Sequence, residues 1–378
     1  MIFLMIKSSK QRLFEMMDRV AGMSLMEVDW KGEFSDVSKE CISDEALKDY
    51  FNKVLENQKL SSDKRTKSLL LVHNKSIPFD DMGDIDVNTF IEMITKYPPQ
   101  IISQNKKMEK SSNDNTITFN IGIPALRGLV YDQDNKQFYI VNTCPGAGIC
   151  ARICYARRGR YVLLPQIFIK QTRILNLLLN NPEDFGKLLK NEIKALALKN
   201  KGKKLLFRWN DAGDFFSKKY FQIAAKITID LKNEGLNFES YAHTKIGDIY
   251  NFNDPNVILN FSVDATDKEK NKVDLFGAKT SEIIPSELFK DLFIKNKAHF
   301  TVDTKGKLIP KNNNSFNILK QRISDKYNVD INTLISYNEL LKIPEGNERN
   351  LNVIVLPKGE GDIAAQRKDV KRTFLLYH

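Results

Sequence analysis

The sequence predicts an α/β protein: a partial or full (β/α) barrel preceded by a helical N-terminal extension. Two observations predict it. From about residue 115, short runs rich in β-branched and aromatic residues alternate with amphipathic helical stretches. Strands separated by helices pair in parallel, which implies an α/β layer or a TIM-type barrel. A third observation sets the organisation. The 378 residues exceed what one core needs, so residues 1–112 are read as a helical or mixed extension and 113–378 as the barrel-like domain.

The elements follow in order. In SSKQRLFEMMDRVAGM the apolar Leu13, Met16, Met17 and Val20 recur at helical spacing, with Ser8 or Ser9 to cap and Gly22 to end the helix. DEALKDYFNKVLENQ is a second helical candidate, and KKMEKSSNDN reads as a linker. TITFNIGI and KQFYIVNT read as strands. ICARICYARRGRYV starts a helix, and QIFIKQTRILNLLLN continues helical beyond Pro165. After NNPED, the helix FGKLLKNEIKALALK leads into a buried-type strand, KKLLFRW. The loop NDAGDFFS, the helix KKYFQIAAKITIDLKNEG and the strand NFESYAHT come next. VILNFSVDAT, KAHFTVDT and NLNVIVLP are further strands, and the C-terminal GEGDIAAQRKDVKRTFLLYH reads as a turn, a helix and a final apolar strand or docking segment.

Composition bounds the function. Hydrophobic content of 42% and charged content of 28% fit a globular chain. No stretch reaches the ~18 apolar residues of a membrane span, and MIFLMI is too short for a signal core. The expected compartment is the cytoplasm. The net charge of +11 favours nucleic acid or a nucleotide as partner, or is a Lys-rich bias spread over solvated faces. No Walker pattern and no GxGxxG follows a strand, so no ATP or dinucleotide site is expected.

Three of the four cysteines fall within eleven residues, in NTCPGAGICARICYARRGRY. In a reducing compartment such clustering points to metal or chemistry rather than disulfides, with incidental buried thiols as the alternative. Cys150 and Cys154 are four apart, so one helix would set them on one face, Cβ atoms ~5–6 Å apart. Cys144 lies in a Pro-Gly-Ala-Gly loop whose glycines let the backbone fold round an inorganic body. Three thiolates on a four-iron, four-sulfur cluster leave one iron open. On zinc, the alternative metal, they leave an open position or take a fourth ligand, with Cys41, His73, His243, His299 and His378 as candidates. Arg152, Arg157, Arg158 and Arg160 would favour thiolates or touch phosphates, with Tyr155 and Tyr161 to stack a base, or they form a solvated helix face.

In parallel α/β folds ligands sit at the carboxyl ends of strands. That rule singles out Asp211, Asp214, His243, Thr244, Asp264 and Thr266. Asp211 and Asp214, with Gly213 between them, can grip an amine, a ribose or a metal, or act as acid and base; alternatively one of them caps the helix starting near Ser217. Arg208 can pair with a carboxylate or phosphate. His243 can be an acid–base group, a ligand or a hydrogen-bonded structural residue. Arg367 and Lys368 reach a phosphate or are surface charge.

The run Cys-Pro-Gly-Ala-Gly-Ile-Cys-Ala-Arg-Ile-Cys-Tyr-Ala resembles the phage and plasmid family called gene product 88. RWNDAGDFFSKKYF and GDIAAQRKDVKRTFLLYH carry the same likeness, over roughly residues 115–378. That family carries no activity across. More loosely, the chain is similar to radical SAM enzymes, which hold a four-iron cluster with three cysteines after the first barrel strand. Their spacing is CxxxCxxC with an aromatic before the last Cys; here it is Cys-x5-Cys-x3-Cys with Tyr155 just after. Where that superfamily has Gly-Gly-Glu, this chain has Asn210-Asp211-Ala212-Gly213-Asp214, and for its Ser-x-Asp strand end it offers Ser262 and Asp264. The resemblance implies S-adenosylmethionine as a further cofactor, bound by Gly213, Asp214, Ser262, Asp264 and Tyr155. Asp211, Asp214 and His243 would be catalytic. The expected function is an iron–sulfur enzyme acting on a nucleobase, nucleotide or nucleic acid. Two rivals stand beside it: a non-catalytic nucleic-acid-binding protein with a structural three-Cys metal site, and a barrel similar to tRNA transglycosylases, whose Asp-Ser-Gly the Asp-Ala-Gly here resembles.

Overall fold

The structure is a computed structural model. It describes residues 34, 36–43, 46–47, 86–157, 161, 164–252, 254–289, 291–292, 300–302, 308–346, 350–356 and 362–376. The helix expected over 8–23, most of that over 44–58, and His73, Arg158, Arg160, His299 and His378 lie outside the described residues. Among the described residues no helix is long and apolar enough to cross a membrane.

The chain forms two compact units. One takes residues 1–98, 127–142 and 155–181, the other 99–126, 143–154 and 182–378. In the first, strands Lys39–Ile42, Gln137–Asn142 and Arg127–Asp132 form an antiparallel sheet. Helices Val87–Thr95 and Pro165–Asn180 pack on it through Phe90, Ile94 and Phe168 against Leu129 and Phe138. KQFYIVNT is therefore a strand as expected, but it pairs antiparallel, in a hairpin with the preceding strand.

The second unit holds an eight-stranded sheet in which every pairing is parallel. Its strands are β1 (Thr116–Asn120), β2 (Lys204–Trp209), β3 (Phe238–Thr244), β4 (Val257–Ser262), β5 (Thr280–Ile284), β6 (Leu334–Ser336), β7 (Leu351–Val355) and β8 (Val370–Leu376). The spatial order is β6-β7-β8-β5-β4-β3-β2-β1. The α/β class holds. The sheet is open, however, with β1 and β6 at its edges, and no closed barrel forms. The reason lies in the last third of the chain. β1 to β5 step across the sheet one way, as barrel strands do, but β8 lands beside β5 and β6 and β7 extend the other edge. KAHFTVDT lies outside this sheet, where Phe300–Val302 pairs with Leu308–Pro310.

Reversing the direction of travel moves the connecting helices to the other face, because crossovers are right-handed. Helix α3 (Pro182–Lys199), before β2, packs its Phe185 on Tyr220 of helix α4 (Lys218–Asn233), between β2 and β3; α4 covers one face, and its Thr228 hydroxyl bonds Ser240 of β3 at 2.9 Å. Helix α5 (Asn313–Tyr327) extends that apolar layer with Phe316, Leu319 and Ile323 against Ile354 and Phe374. Helices α6 (Tyr337–Leu340) and α7 (Ile363–Gln366) lie on the opposite face, where Gln366 bonds the Tyr241 hydroxyl at 3.2 Å. Helix α1 (Lys106–Lys110) joins them there, its Met108 sulfur 3.7 Å from the same hydroxyl. KKMEK is thus a helix and not a linker. Asn105 caps it by accepting from the Lys107 and Met108 amides, a signal hidden in a polar string.

The two faces differ in chemistry. On the α4 face Phe207 and Trp209 of β2 pack edge to face, and Trp209 meets Tyr220 of α4 in the same way. Burying each such ring contributes roughly 1.5–3 kcal/mol. On the other face the strands carry Arg208, Tyr241, Asn260 and Ser281, all buried. A polar row buried on central strands is costly unless hydrogen-bonded, and it marks the side on which the site is built.

Candidate functional site at the carboxyl ends of the parallel strands

The cysteine segment begins straight after Thr143, whose amide bonds the Leu126 carbonyl and whose hydroxyl bonds that of Pro124. Cys144 follows, buried, its sulfur accepting the Leu126 amide at 3.4 Å. The loop then crosses the ends of β3 and β4. Ala147 forms an antiparallel bridge with Ala265, and the Thr266 amide bonds the Gly146 carbonyl at 3.0 Å. Gly146 and Gly148 are required by space. A Cβ on Gly146 would collide with the Lys245 carbonyl, and one on Gly148 would sit 2.6 Å from the Ala265 carbonyl oxygen.

Helix α2 (Ile149–Ile153) is short. Cys150 lies within it, but Cys154 is its C-cap, with φ −53° and ψ 117°. The expected single helix carrying Cys150 and Cys154 on one face therefore ends one residue too soon. A 3-10 turn, Tyr155–Arg157, follows. Cys150 and Cys154 are partly exposed.

The thiols share one electrostatic neighbourhood. Burial pushes Cys144 up to about 12, offset by the Lys245 ammonium and reinforced by Asp214 and Cys154. Burial also raises Cys150, again offset by Lys245 and reinforced by Cys154, Asp264 and Asp214. Lys245 is the cation common to both.

Asp214 is fully buried at the end of the loop after β2. It accepts the Phe215 amide at 2.7 Å and the Lys245 amide at 2.9 Å, and lies 3.8 Å from the Lys245 ammonium. Burial raises its carboxyl and the lysine opposes that. Asp214 thus ties the β2 loop to the end of β3. Asp211, also buried, accepts from the Asn105 side chain at 2.9 Å. Neither carboxylate caps α4, since Ser217 does so by accepting the Tyr220 amide. Gly213 has φ 81°, and a Cβ there would strike Ile123, so its need is a backbone one.

His243 is partly exposed and shares a 3.0 Å hydrogen bond between its Nδ1 and Ser281. Burial, then the positive charge of Arg208, pushes its imidazole down to about 3. Asp264, buried at the end of β4, accepts the Ile283 amide at 3.2 Å, and burial raises its carboxyl to about 6. Ser262 is buried one step before it. Thr244 is buried and Thr266 is the N-cap of the helix Asp267–Lys270. Tyr155 belongs to the other unit, where it is exposed and edge-on to Tyr161. Cys41 is also in that unit, exposed on its strand.

A second cluster adjoins His243. Asp362 accepts from Arg208, from Lys107 at 2.6 Å and from the Tyr241 hydroxyl at 3.1 Å. Arg208 and Lys107 hold its carboxyl well below the ordinary range despite burial.

A family-profile comparison matches residues 100–322 to the description Gene product 88. The chain belongs to the gene product 88 family. No curated protein and no solved structure matches it. In this gene product 88 protein the matched stretch holds the three clustered cysteines, Lys107, Asp211, Asp214, His243, Lys245 and Asp264. The ending GDIAAQRKDVKRTFLLYH lies beyond it. There Arg367 is neither a surface charge nor a phosphate ligand: it is buried, pairs with Asp369 at 2.7 Å, and donates to the carbonyls of Leu340, Ile343 and Pro344.

Among the described residues of the gene product 88 chain, no group of three or more His, Cys, Asp or Glu side chains is arranged to hold a metal ion. Cys144, Cys150 and Cys154 lie within one short segment, Cys144 and Cys150 both within the field of Cys154, with the partly buried Lys245 beside them. Sequence reasoning missed Lys107, Lys245 and Asp362. Lys245 was legible as the residue following the strand-end pair His243-Thr244. Lys107 was hidden by reading its helix as a linker.

Proposed function

We propose that the chain is an enzyme working at the carboxyl ends of its parallel strands, with Cys144, Cys150 and Cys154 as ligands of a four-iron, four-sulfur cluster. One observation carries the reading. The cysteine loop is seated on the ends of β3 and β4 by Gly146 and Gly148, where parallel α/β folds place their ligands. A cluster is preferred to zinc because three cysteines fall within eleven residues with no paired CxxC spacing. Around one tetrahedral ion the sulfurs crowd together, at ~2.3 Å per bond, whereas cluster thiolates each bind a different iron.

When bound, such a cluster supplies electron transfer and one open iron. The chain's own residues do the rest. Lys245 supplies the positive charge that offsets burial of two of the thiols. Asp214 holds the Lys245 amide, and so the seat of the loop, in place. Asp264, with its carboxyl raised to about 6, can hold or give up a proton near neutral pH. His243, near the end of the neighbouring β3, offers a neutral imidazole. S-adenosylmethionine is the cofactor we would test first at the open iron, and a nucleobase or nucleotide the first substrate class.

Anaerobic purification tests the reading. The expected result is a brown protein with a broad band near ~400 nm and about four irons per chain, both lost in Cys150→Ala. Colourless protein carrying stoichiometric zinc, or unchanged iron content in Cys150→Ala, overturns it.

A further inference from the structure

We propose that His243 serves the site as a neutral hydrogen-bond donor through Nε2–H, held in that tautomer by the hydroxyl of Ser281, and that the ligand atom it meets is an acceptor such as a carbonyl oxygen. The inference rests on the reading that the carboxyl ends of the parallel strands are where the reaction takes place, and it assigns Ser281 as a positioning residue there.

The sheet brings the two side chains together. β4 lies between β3 and β5, with His243 in register with Asn260 and Ser281 in register with Ser262. His243 follows Tyr241 by two residues, so strand alternation sets it on the same polar face. Neighbouring strands stand ~4.8 Å apart, so a ring rooted on β3 that bonds a side chain of β5 reaches across β4. It does so with Nδ1, 3.0 Å from the Ser281 Oγ. Asn260, the β4 residue beside His243, is engaged elsewhere: its amide donates to the carbonyls of Ala242 and Ala365 at 3.2 and 3.0 Å.

The hydroxyl decides the tautomer. Ser281 is 3% exposed, and Nδ1 of His243 is the one hydrogen-bond partner of its Oγ among the described residues. A neutral imidazole carries one hydrogen on one of its two nitrogens, and a hydroxyl carries one of its own. If Nδ1 held the ring hydrogen and gave it to Oγ, the hydroxyl hydrogen would be buried without an acceptor. An unpaired buried donor disfavours that arrangement about fivefold or more. With the hydroxyl donating instead, the Nδ1 lone pair is filled and the ring hydrogen sits on Nε2.

No described residue of the protein takes that hydrogen. Arg208, Asp362, Lys107 and Lys245 act on the ring through space, and none hydrogen-bonds it. Asp362, the carboxylate among them, is engaged by Arg208, Lys107 and Tyr241. His243 is partly exposed, so Nε2–H is left for a ligand. A neutral ring with its one lone pair filled does not abstract a proton; it polarises an acceptor. The proton-carrying role stays with Asp264. A nucleobase carbonyl oxygen is an acceptor of this kind within the proposed substrate class.

Nitrogen NMR of the full-length chain, labelled at histidine, tests the assignment. We expect His243 in the wild type to show a pyrrole-type Nε2 and a pyridine-type Nδ1, the latter displaced by the hydrogen bond it accepts. Ser281→Ala should lose that displacement and populate both tautomers, and Ser281→Thr, which keeps a hydroxyl, should restore the wild-type pattern. A wild-type ring protonated at Nδ1 overturns the inference, because Nε2 would then present a lone pair to a proton or a metal ion. A Ser281→Ala spectrum equal to that of the wild type overturns it as well. If Ser281→Ala does not fold, the wild-type tautomer decides alone. The outcome is separable from the cluster reading. An Nε2–H ring in a chain that purifies without iron sinks the cluster and not this assignment, and an Nδ1–H ring in an iron-loaded chain does the reverse.

Discussion

The backbone carbonyl of Lys245 fills the space that a side chain on Gly146 would need. That contact seats the cysteine loop on the end of β3 and brings the Lys245 charge to the thiols. Gly146→Ala must therefore lift the loop or move β3. Forcing one extra methyl into such a contact costs roughly 1–3 kcal/mol. Chemical denaturation should show a loss of that size, and alkylation of the buried Cys144 should become faster. Wild-type alkylation and stability together would show that the loop does not depend on this seat.

Asp362 should behave as a structural anion. Removing it strands Arg208, 8% exposed, and partly strands Lys107, which at 44% exposure keeps access to water. Breaking a buried pair from one side costs about 3–5 kcal/mol. Asp362→Ala should lose stability on that scale, and Asp362→Asn less, since it keeps acceptors for Tyr241 and Arg208. The pH sign follows from the lowered carboxyl: its contribution is complete above the unfolded pKa of about 4 and fades as pH falls towards the folded value. Urea midpoints of wild type and Asp362→Asn should therefore converge on acidification. Parallel curves would remove the ion pair from the account.

What the sequence disclosed, and what it hid, follows from range. Strand and helix alternation is local, so LLFRW, SYAHT and the helix after Ser217 were legible, and with them the strand-end positions of Asp211, Asp214, His243 and Asp264. Closure is non-local. Whether β8 pairs with β5 or β1 depends on chain-distant contacts such as Phe374 with Ile284 and Leu319, which no window contains. The helical reading of Cys150 and Cys154 failed for a local reason: Cys154 has already left helical backbone, at ψ 117°, at the end of a five-residue helix. Lys107 and Asp362, 255 positions apart in sequence, had no shared signal until folding joined them.

His243 should stay neutral through the physiological range. Its imidazole is pushed down to about 3 by burial and by Arg208, against the opposing charge of Asp362, so protonation is disfavoured. Nitrogen NMR of the ring should show a single neutral tautomer from pH 8 to about pH 5, against an ordinary value near 6.5. A midpoint near 6.5 would mean that the ring is open to water and that the Arg208 charge does not reach it.

Asp264 should give the opposite pH signature to Asp362. Its folded carboxyl is raised to about 6 by burial, opposed by the Ile283 amide and by Lys245 and Lys270. The neighbouring groups that face it also include Cys150 and Glu282. A carboxyl raised above its unfolded value of about 3.9 holds its proton more tightly in the folded state. Its contribution to stability is therefore complete below about pH 4 and is lost as pH rises through about 6. A rise of that size corresponds to roughly 3 kcal/mol at most. Asp264→Asn removes the charge and keeps the shape, including an acceptor for the Ile283 amide. The variant should gain stability over wild type at pH 8, by about 1–3 kcal/mol, and match it near pH 4. Urea denaturation at the two pH values measures both ends. A variant less stable than wild type at pH 8 would mean that ionised Asp264 is held by a positive partner, and the acid–base role proposed for it at the thiol site would go with the raised carboxyl.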